Sequence, residues 1–295
     1  MDSHTHFQFL MKPCVCSLHD APEHIRSNNI YIENGYRKNF LHYKQCLKSI
    51  FMLTNETVNI WSHLLGSILF IFLIFSINDF LRGLEHATQI DHLIVTVSCL
   101  CFLFCLVFST TYHIFKCQSK EYAECCLRMD FTGISVSLCG IYLPGYYYAF
   151  TCFDFWRMFY SGLTFILIIV TVLFQVLPRR IYIDRLDRKR IALFSFMVLF
   201  GIIPACHWVY LYGGLSSIFI QTFLPKIFVM YLIVGSAFFF YMSKIPEKYK
   251  PGFFDYFGAS HQIWHILILS AFVYWYCCSF ELIKYIYSRD GFCNL

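Results

Sequence analysis

The sequence is short of charge. Only 14% of its 295 residues are Asp, Glu, Lys or Arg, against about a quarter in a soluble domain, while 58% are apolar and 20% aromatic. That excludes an ordinary soluble enzyme. The opening MDSHTHFQFLMKPC lacks the basic stretch followed by an apolar one that a cleavable signal peptide needs, so the first apolar run serves as its own signal. A nucleic-acid face is missing too, because 23 Lys and Arg are diluted among 34 Phe and 21 Tyr. Paired C-x-x-C motifs at zinc-finger spacing are absent. The fifteen cysteines are scattered, many inside apolar runs (Cys99, Cys101, Cys105, Cys139), where a thiol behaves as a small hydrophobe rather than as part of a disulfide framework.

What is present is long apolar runs. Crossing the hydrocarbon core of about 30 Å takes ~20 apolar helical residues, and stretches at about 60–78, 93–115, 131–150, 158–177, 191–212, 224–243 and 262–283 qualify. The expectation is an all-α integral membrane protein, a bundle of seven transmembrane helices over 59–284. A segment of 1–58 precedes it and a short tail of 285–295 follows. Charged residues fall only at the span ends (Asp130, Lys226, Glu281), as the cost of a mid-membrane charge requires. Pro144 and Pro204 lie within spans, where neighbouring helices tolerate a kink. The segment before the first span and every second loop carry eighteen Lys and Arg, against five on the alternate segments. The positive-inside rule then puts the amino terminus in the cytosol and the carboxyl terminus in the lumen or outside the cell. That orientation is opposite to a G-protein-coupled receptor's, and the D-R-Y and N-P-x-x-Y signatures of such receptors are missing as well.

In residues 39–53, NFLHYKQCLKSIFML, helical spacing puts Phe40, Tyr43, Leu47, Ile50 and Phe51 near one face and Lys44 and Lys48 on another. The pattern predicts an interfacial helix on the cytosolic leaflet; the plainer alternative is a lead-in to the first span. Asn55-Glu56-Thr57 matches a glycosylation sequon, but on the cytosolic side it stays unmodified.

Twelve histidines are present. His261 and His265 are four apart, so at ~100° per residue their rings stand within ~40° on one helix face, which suits two imidazoles on one metal. With alternating spans, the second ends at the cytosolic face near His113, the third begins there with Asp130, and the seventh begins there with His261. His207 falls near the outer end of the fifth span and is excluded. Three histidines with one open position describe a zinc site of the catalytic sort, with Asp130 binding or orienting a water as fourth ligand. Ser109, one turn before His113, bonds a ligand or that water, or simply eases helix packing. His63, near the start of the first span, is the rival ligand. A polar cluster bonded internally or solvated at the cytosolic mouth is the alternative to a metal site.

Several motifs resemble the progestin and adipoQ receptor family: IYIENGYR (Ile30 to Arg37), NETVNIWSHLLG (Asn55 to Gly66), the S-x-x-x-H of Ser109 to His113, MDFTGIS (Met129 to Ser135), KIPEKYKPG (Lys244 to Gly252) and SHQIWHIL (Ser260 to Leu267). They cover residues 30 to 283, and the first 29 residues depart from anything recognisable. The resemblance implies a seven-helix bundle with a cytosolic amino terminus and a zinc ion on His113, His261 and His265, with Asp130 linked through water. The serine of NIWSHLLG, HWVYLYGG (His207 to Gly214) and ASHQIWHI look most like a branch that acts as a Golgi anchor, binding a Raf-type kinase and dampening MAP kinase signalling. Another branch implies a lipid amide hydrolase of ceramidase type, or a receptor responsive to lipid or hormone. Within these readings the zinc either activates a water or only pins three helices together. Membrane lipids, with ceramide among the candidate ligands, are the expected small-molecule partners.

Overall fold

A computed structural model describes residues 14–26, 29–38, 40, 42–176, 183–288 and 292–293. The opening residues 1–13, positions 39 and 41 of the amphipathic stretch, the basic loop's residues 177–182 and tail residues 289–291 and 294–295 lie outside the described residues. Two short antiparallel strands, β1 (Cys14–Cys16) and β2 (Tyr36–Lys38), pair in the register Val15 with Arg37. The helices follow: α1 (Tyr43–Lys48), α2 (Thr57–Arg82), α3 (Gln89–Phe115), α4 (Lys120–Ala149), α5 (Asp154–Val176), α6 (Ile183–Phe200), α7 (Ile202–Leu211), α8 (Ile218–Ser243) and α9 (Ser260–Tyr287). Among the described residues, seven stretches are long and apolar enough to cross a membrane, with Arg188–Leu211 of α6 and α7 counting as one. The protein is therefore an all-α, seven-span membrane protein. Side chains such as Phe72, Phe75, Phe165 and Phe228 lie outward on these helices, and so many exposed aromatics are stable only with lipid as solvent.

The helices run a few residues beyond the apolar stretches because polar groups close their ends. At the start of α3, Thr88 and Asp91 cap one another: the Thr88 N–H donates to Asp91 Oδ2 at 2.7 Å and the Asp91 N–H to Thr88 Oγ1 at 3.4 Å. Asp91 is buried, and it also accepts from the Tyr148 and Tyr287 hydroxyls at 2.8 and 2.7 Å.

The fifth span is interrupted for one residue at Gly201, whose backbone stays in the helical region (φ −60°, ψ −17°), as the kink expected of Pro204 requires. Proline at position 204 has no N–H to continue the ladder, so α6 ends at Phe200 and α7 restarts after Gly201. The Tyr142 hydroxyl donates to the Met197 carbonyl at 2.6 Å and Tyr231 to Val198 at 3.0 Å, taking up carbonyls near the break. A Cβ on Gly201 would stand 2.8 Å from both hydroxyl oxygens. Gly201→Ala is therefore expected to disturb both hydrogen bonds and to cost about 1–3 kcal/mol, read as a lowered thermal unfolding midpoint in detergent.

By packing, the chain forms two compact units. One comprises Met1–Leu65, Val107–Asp130 and Val234–Leu269; the other comprises Gly66–Leu106, Phe131–Ile233 and Ser270–Leu295. The second holds a disulfide, Cys152–Cys293, which the scattered cysteine pattern does not predict. The first holds the candidate site. Its core gathers Ile32, Tyr36, Phe40, Cys46, Ile60, Ile114 and Cys117.

The amphipathic stretch folds differently from expectation. Among its described residues only Tyr43–Lys48 is α-helical, and Ser49–Phe51 follows as a 3-10 turn. Phe40 is fully buried and Ile50 packs against the core, while Tyr43, Leu47 and Phe51 face outward beside the exposed Lys44 and Lys48. Helical spacing had grouped these five apolar residues; the tertiary core takes two of them.

Candidate metal centre

Local structure brings the three histidines to one place. On α9, His261 sits in a first turn that is held at both flanks. Glu247 accepts the Ser260 N–H at 2.8 Å and also the Ser260 hydroxyl, while Gln262 Oε1 accepts the Gly258 N–H at 2.7 Å. His113 lies in the last turn of α3. There the buried Arg37 guanidinium donates to the His113 and Ile114 carbonyls, the latter at 3.0 Å, and to Ser49 Oγ at 2.7 Å, closing the helix end. Arg37 is fixed in turn by the segment before it. Asn29 donates to Glu247 at 2.7 Å, and the Glu33 N–H and Asn34 amide donate to the buried Asp255 at 2.8 and 3.0 Å. Gly35, at φ +89°, lets this segment pass where a Cβ would stand 2.8 Å from the Asn55 nitrogen. Asn55 itself is buried, so its sequon is inaccessible on structural grounds as well.

One nitrogen from each of His113, His261 and His265 lies within 4.8 Å of the others. His113 Nδ1 donates to Glu56 Oε2 at 2.6 Å, which fixes the tautomer and leaves Nε2 with a free lone pair. That Nε2 is buried and has no hydrogen-bond partner. His265 Nε2 faces His261 Nε2 at 3.2 Å, near the ~3.4 Å between donors of a tetrahedral site with 2.0–2.1 Å bonds. A donor set of three imidazoles, with His113 Nε2 and His265 Nδ1 both buried without a hydrogen-bond partner and a carboxylate behind His113, fits a divalent metal ion.

His63 does not join the three. Its ring stacks on His265 with centroids 4.0 Å apart, and its Nε2 lies 3.3 Å from the His265 carbonyl oxygen. Ser109 is buried on α3 and hydrogen-bonds the side chain of Asp130 on α4. His207 lies in the other unit, against Trp156 and within 2.9 Å of the Tyr160 hydroxyl.

The Haemolysin-III related family model matches residues 51–276. Progestin and adipoQ receptor family member 3 of Homo sapiens is 39% identical over 266 residues, covering 89% of this chain and 84% of that protein. The chain belongs to the progestin and adipoQ receptor family. Other relatives are Heptahelical transmembrane protein 1 of Arabidopsis thaliana, 31% identical over 85% of this chain and 75% of its own length, and the Adiponectin receptor protein of Drosophila melanogaster, 30% identical over 87% and 57%.

In this family member the carboxylate behind His113 escapes a reading by sequence. Glu56 is buried, pairs with the Lys116 ammonium and accepts from Asn59 at 2.8 Å as well as from His113. Burial pushes its carboxyl up, but Lys116 and His113 outweigh that and hold it well below the usual carboxylate range. Its position carries the signal: Glu56 stands immediately before α2 and Lys116 immediately after α3. Span alternation brings both to the same face as the histidines but does not show their burial against one another, which depends on the amino-terminal segment.

Proposed function

We propose that this protein binds one zinc ion through His113, His261 and His265. It keeps residues 1–58 in the cytosol and uses that segment as a Golgi anchor and spatial regulator of a Raf-type kinase, dampening MAP kinase signalling. The observation carrying this reading is that the amino-terminal segment is built onto the helix ends bearing the histidines, through Arg37, Asn29 and Asn34, and turns Tyr43, Leu47 and Phe51 outward between lysines. Such a surface suits the cytosolic leaflet and a partner held beside it. The basic asymmetry of eighteen to five supports the orientation. So does the disulfide: Cys152 and Cys293 both fall on segments that this rule puts outside the cytosol, where disulfides persist. The Golgi and kinase assignments rest on the motif resemblance.

Two experiments test it. A tag at Met1 is digested in intact microsomes and a tag after Leu295 is protected; the reverse result overturns the orientation. Leu47→Asp with Phe51→Asp alters two exposed residues and removes about 1.5–3 kcal/mol of burial each from the leaflet contact. Recruitment of a co-expressed Raf kinase is then lost, while Asp130→Ala leaves it intact. Loss of recruitment in Asp130→Ala, in folded and zinc-loaded protein, contradicts the anchor reading.

The Ser109–Asp130 pair favours a second reading, a zinc-dependent lipid amide hydrolase of ceramidase type. Zinc, when bound, supplies a Lewis acid and lowers the pKa of a water to about 7. With such an ion held by the three histidines, Asp130 would be the group to orient a water and take its proton, Ser109 would hold the carboxylate in place, and the apolar helices would receive the acyl chain. Purified protein then cleaves ceramide, and Asp130→Ala abolishes the turnover.

A further inference from the structure

Cys46 and Cys117 are 71 residues apart in sequence, yet their Sγ atoms lie 3.7 Å from one another inside the core of the histidine-bearing unit. Cys46 belongs to α1 in the amino-terminal segment. Cys117 lies in the turn after α3, four residues beyond His113. Both thiols are buried. We propose that Cys46 and Cys117 form a reversible redox pair, a dithiol whose oxidation to a disulfide locks the amino-terminal segment onto the end of α3.

The surroundings divide the labour between the two sulfurs. The contact with Cys46, with the Arg37 and Lys116 cations close by, holds the Cys117 thiol down to about 7 against the effect of burial. Cys46 is pushed up by the same contact and by burial. Cys117 is thus the nucleophile and Cys46 the resolving thiol. With hydrogen peroxide as oxidant, the Cys117 thiolate attacks one peroxide oxygen. The S–O bond forms, the O–O bond breaks, and hydroxide leaves and takes up a proton as water. The Cys46 sulfur then attacks Cys117: the S–S bond forms, the S–O bond breaks, and a second water leaves with the Cys46 proton. Two electrons pass from the sulfurs to the peroxide, and a dithiol reductant reverses the change.

The consequence lies in what the bond would join. Arg37 already ties the Ser49 hydroxyl, three residues after Cys46, to the carbonyls of His113 and Ile114. A disulfide one turn away makes that contact covalent and fixes α1, with its outward Tyr43, Leu47 and Phe51, in the position described. This holds whether or not the histidines carry zinc.

The test uses the full-length chain in detergent micelles, treated with hydrogen peroxide, capped with N-ethylmaleimide and digested without reduction for mass spectrometry. The expected result is a peptide pair linked through Cys46 and Cys117, with loss of both free thiols and recovery of both after dithiothreitol. Cys46→Ser abolishes the link and leaves a sulfenic acid on Cys117 that dimedone traps, whereas Cys117→Ser gives no dimedone adduct on Cys46. Limited proteolysis within residues 42–52 slows in the oxidised wild type. Recovery of Cys46 and Cys117 as separate maleimide adducts while the exposed Cys125 and Cys206 are oxidised overturns the proposal; so does linkage of either to a different cysteine. The wild-type peptide map decides even where a serine variant fails to fold.

Discussion

Glu56→Ala is expected to destabilise the protein by about 3–5 kcal/mol, the range for stripping one partner from a buried ion pair. The two carboxylate oxygens take the Lys116 ammonium, His113 Nδ1 and the Asn59 amide, and none of these has water as a ready substitute at that depth. Alanine leaves a buried ammonium uncompensated and an imidazole N–H unsatisfied. Glu56→Gln keeps the shape and an acceptor but loses the charge, so it falls between wild type and alanine. Chemical unfolding in micelles, followed by circular dichroism, reads the difference. A Glu56→Ala protein within about 1 kcal/mol of wild type would show that the pair adds little.

The seven spans are legible in the sequence because a run of ~20 apolar residues needs no periodicity to be recognised. Their ends are less so: Thr88 and Asp91 cap α3 locally, three residues apart, but the cap of α9 comes from Glu247, thirteen residues away and brought there by the fold. The break at Gly201 hides within an apolar run, although glycine three residues before proline marks it in retrospect. His261 and His265 declare themselves by their i,i+4 spacing, and His113 joins them through alternation of the spans. Glu56, Lys116 and Arg37 do not, since a charge beside a span reads as an interfacial residue until the segment that buries it is known. Residues 39–53 mislead for a related reason. Helical phase correctly marks an apolar face, but the chain bends into a 3-10 turn at Ser49 and the core draws in Phe40 and Ile50. The Cys152–Cys293 bond spans 141 residues, and cysteine pairing over such a distance is not readable from spacing.

The second large effect concerns the metal itself. His113→Ala, His261→Ala and His265→Ala are each expected to leave the purified protein with little zinc. Removing one of three protein ligands weakens binding by much more than the 10–100-fold typical of losing a group behind a ligand. Glu56→Gln should fall in that 10–100-fold range, because His113 then loses the carboxylate that orients it and raises its basicity. His207→Ala, in the other compact unit, should retain the full zinc content. His63→Ala should keep its zinc too, since the ring stacks on His265 rather than joining the three nitrogens. Elemental analysis of each variant, with competition against a chromogenic chelator for affinities, measures all six. Zinc retained in full by any of the three ligand variants would remove that histidine from the site, and zinc lost in His63→Ala would bring the rival in.

Zinc K-edge X-ray absorption on the purified wild-type chain examines the centre without any substitution. The three-histidine site predicts one zinc per chain in a four-coordinate shell of nitrogen and oxygen at about 2.0–2.1 Å, with the outer-shell scattering of three imidazoles. A shell containing sulfur at about 2.3 Å would place the metal on cysteine instead, and protein that holds no zinc after purification in its presence would contradict the centre altogether.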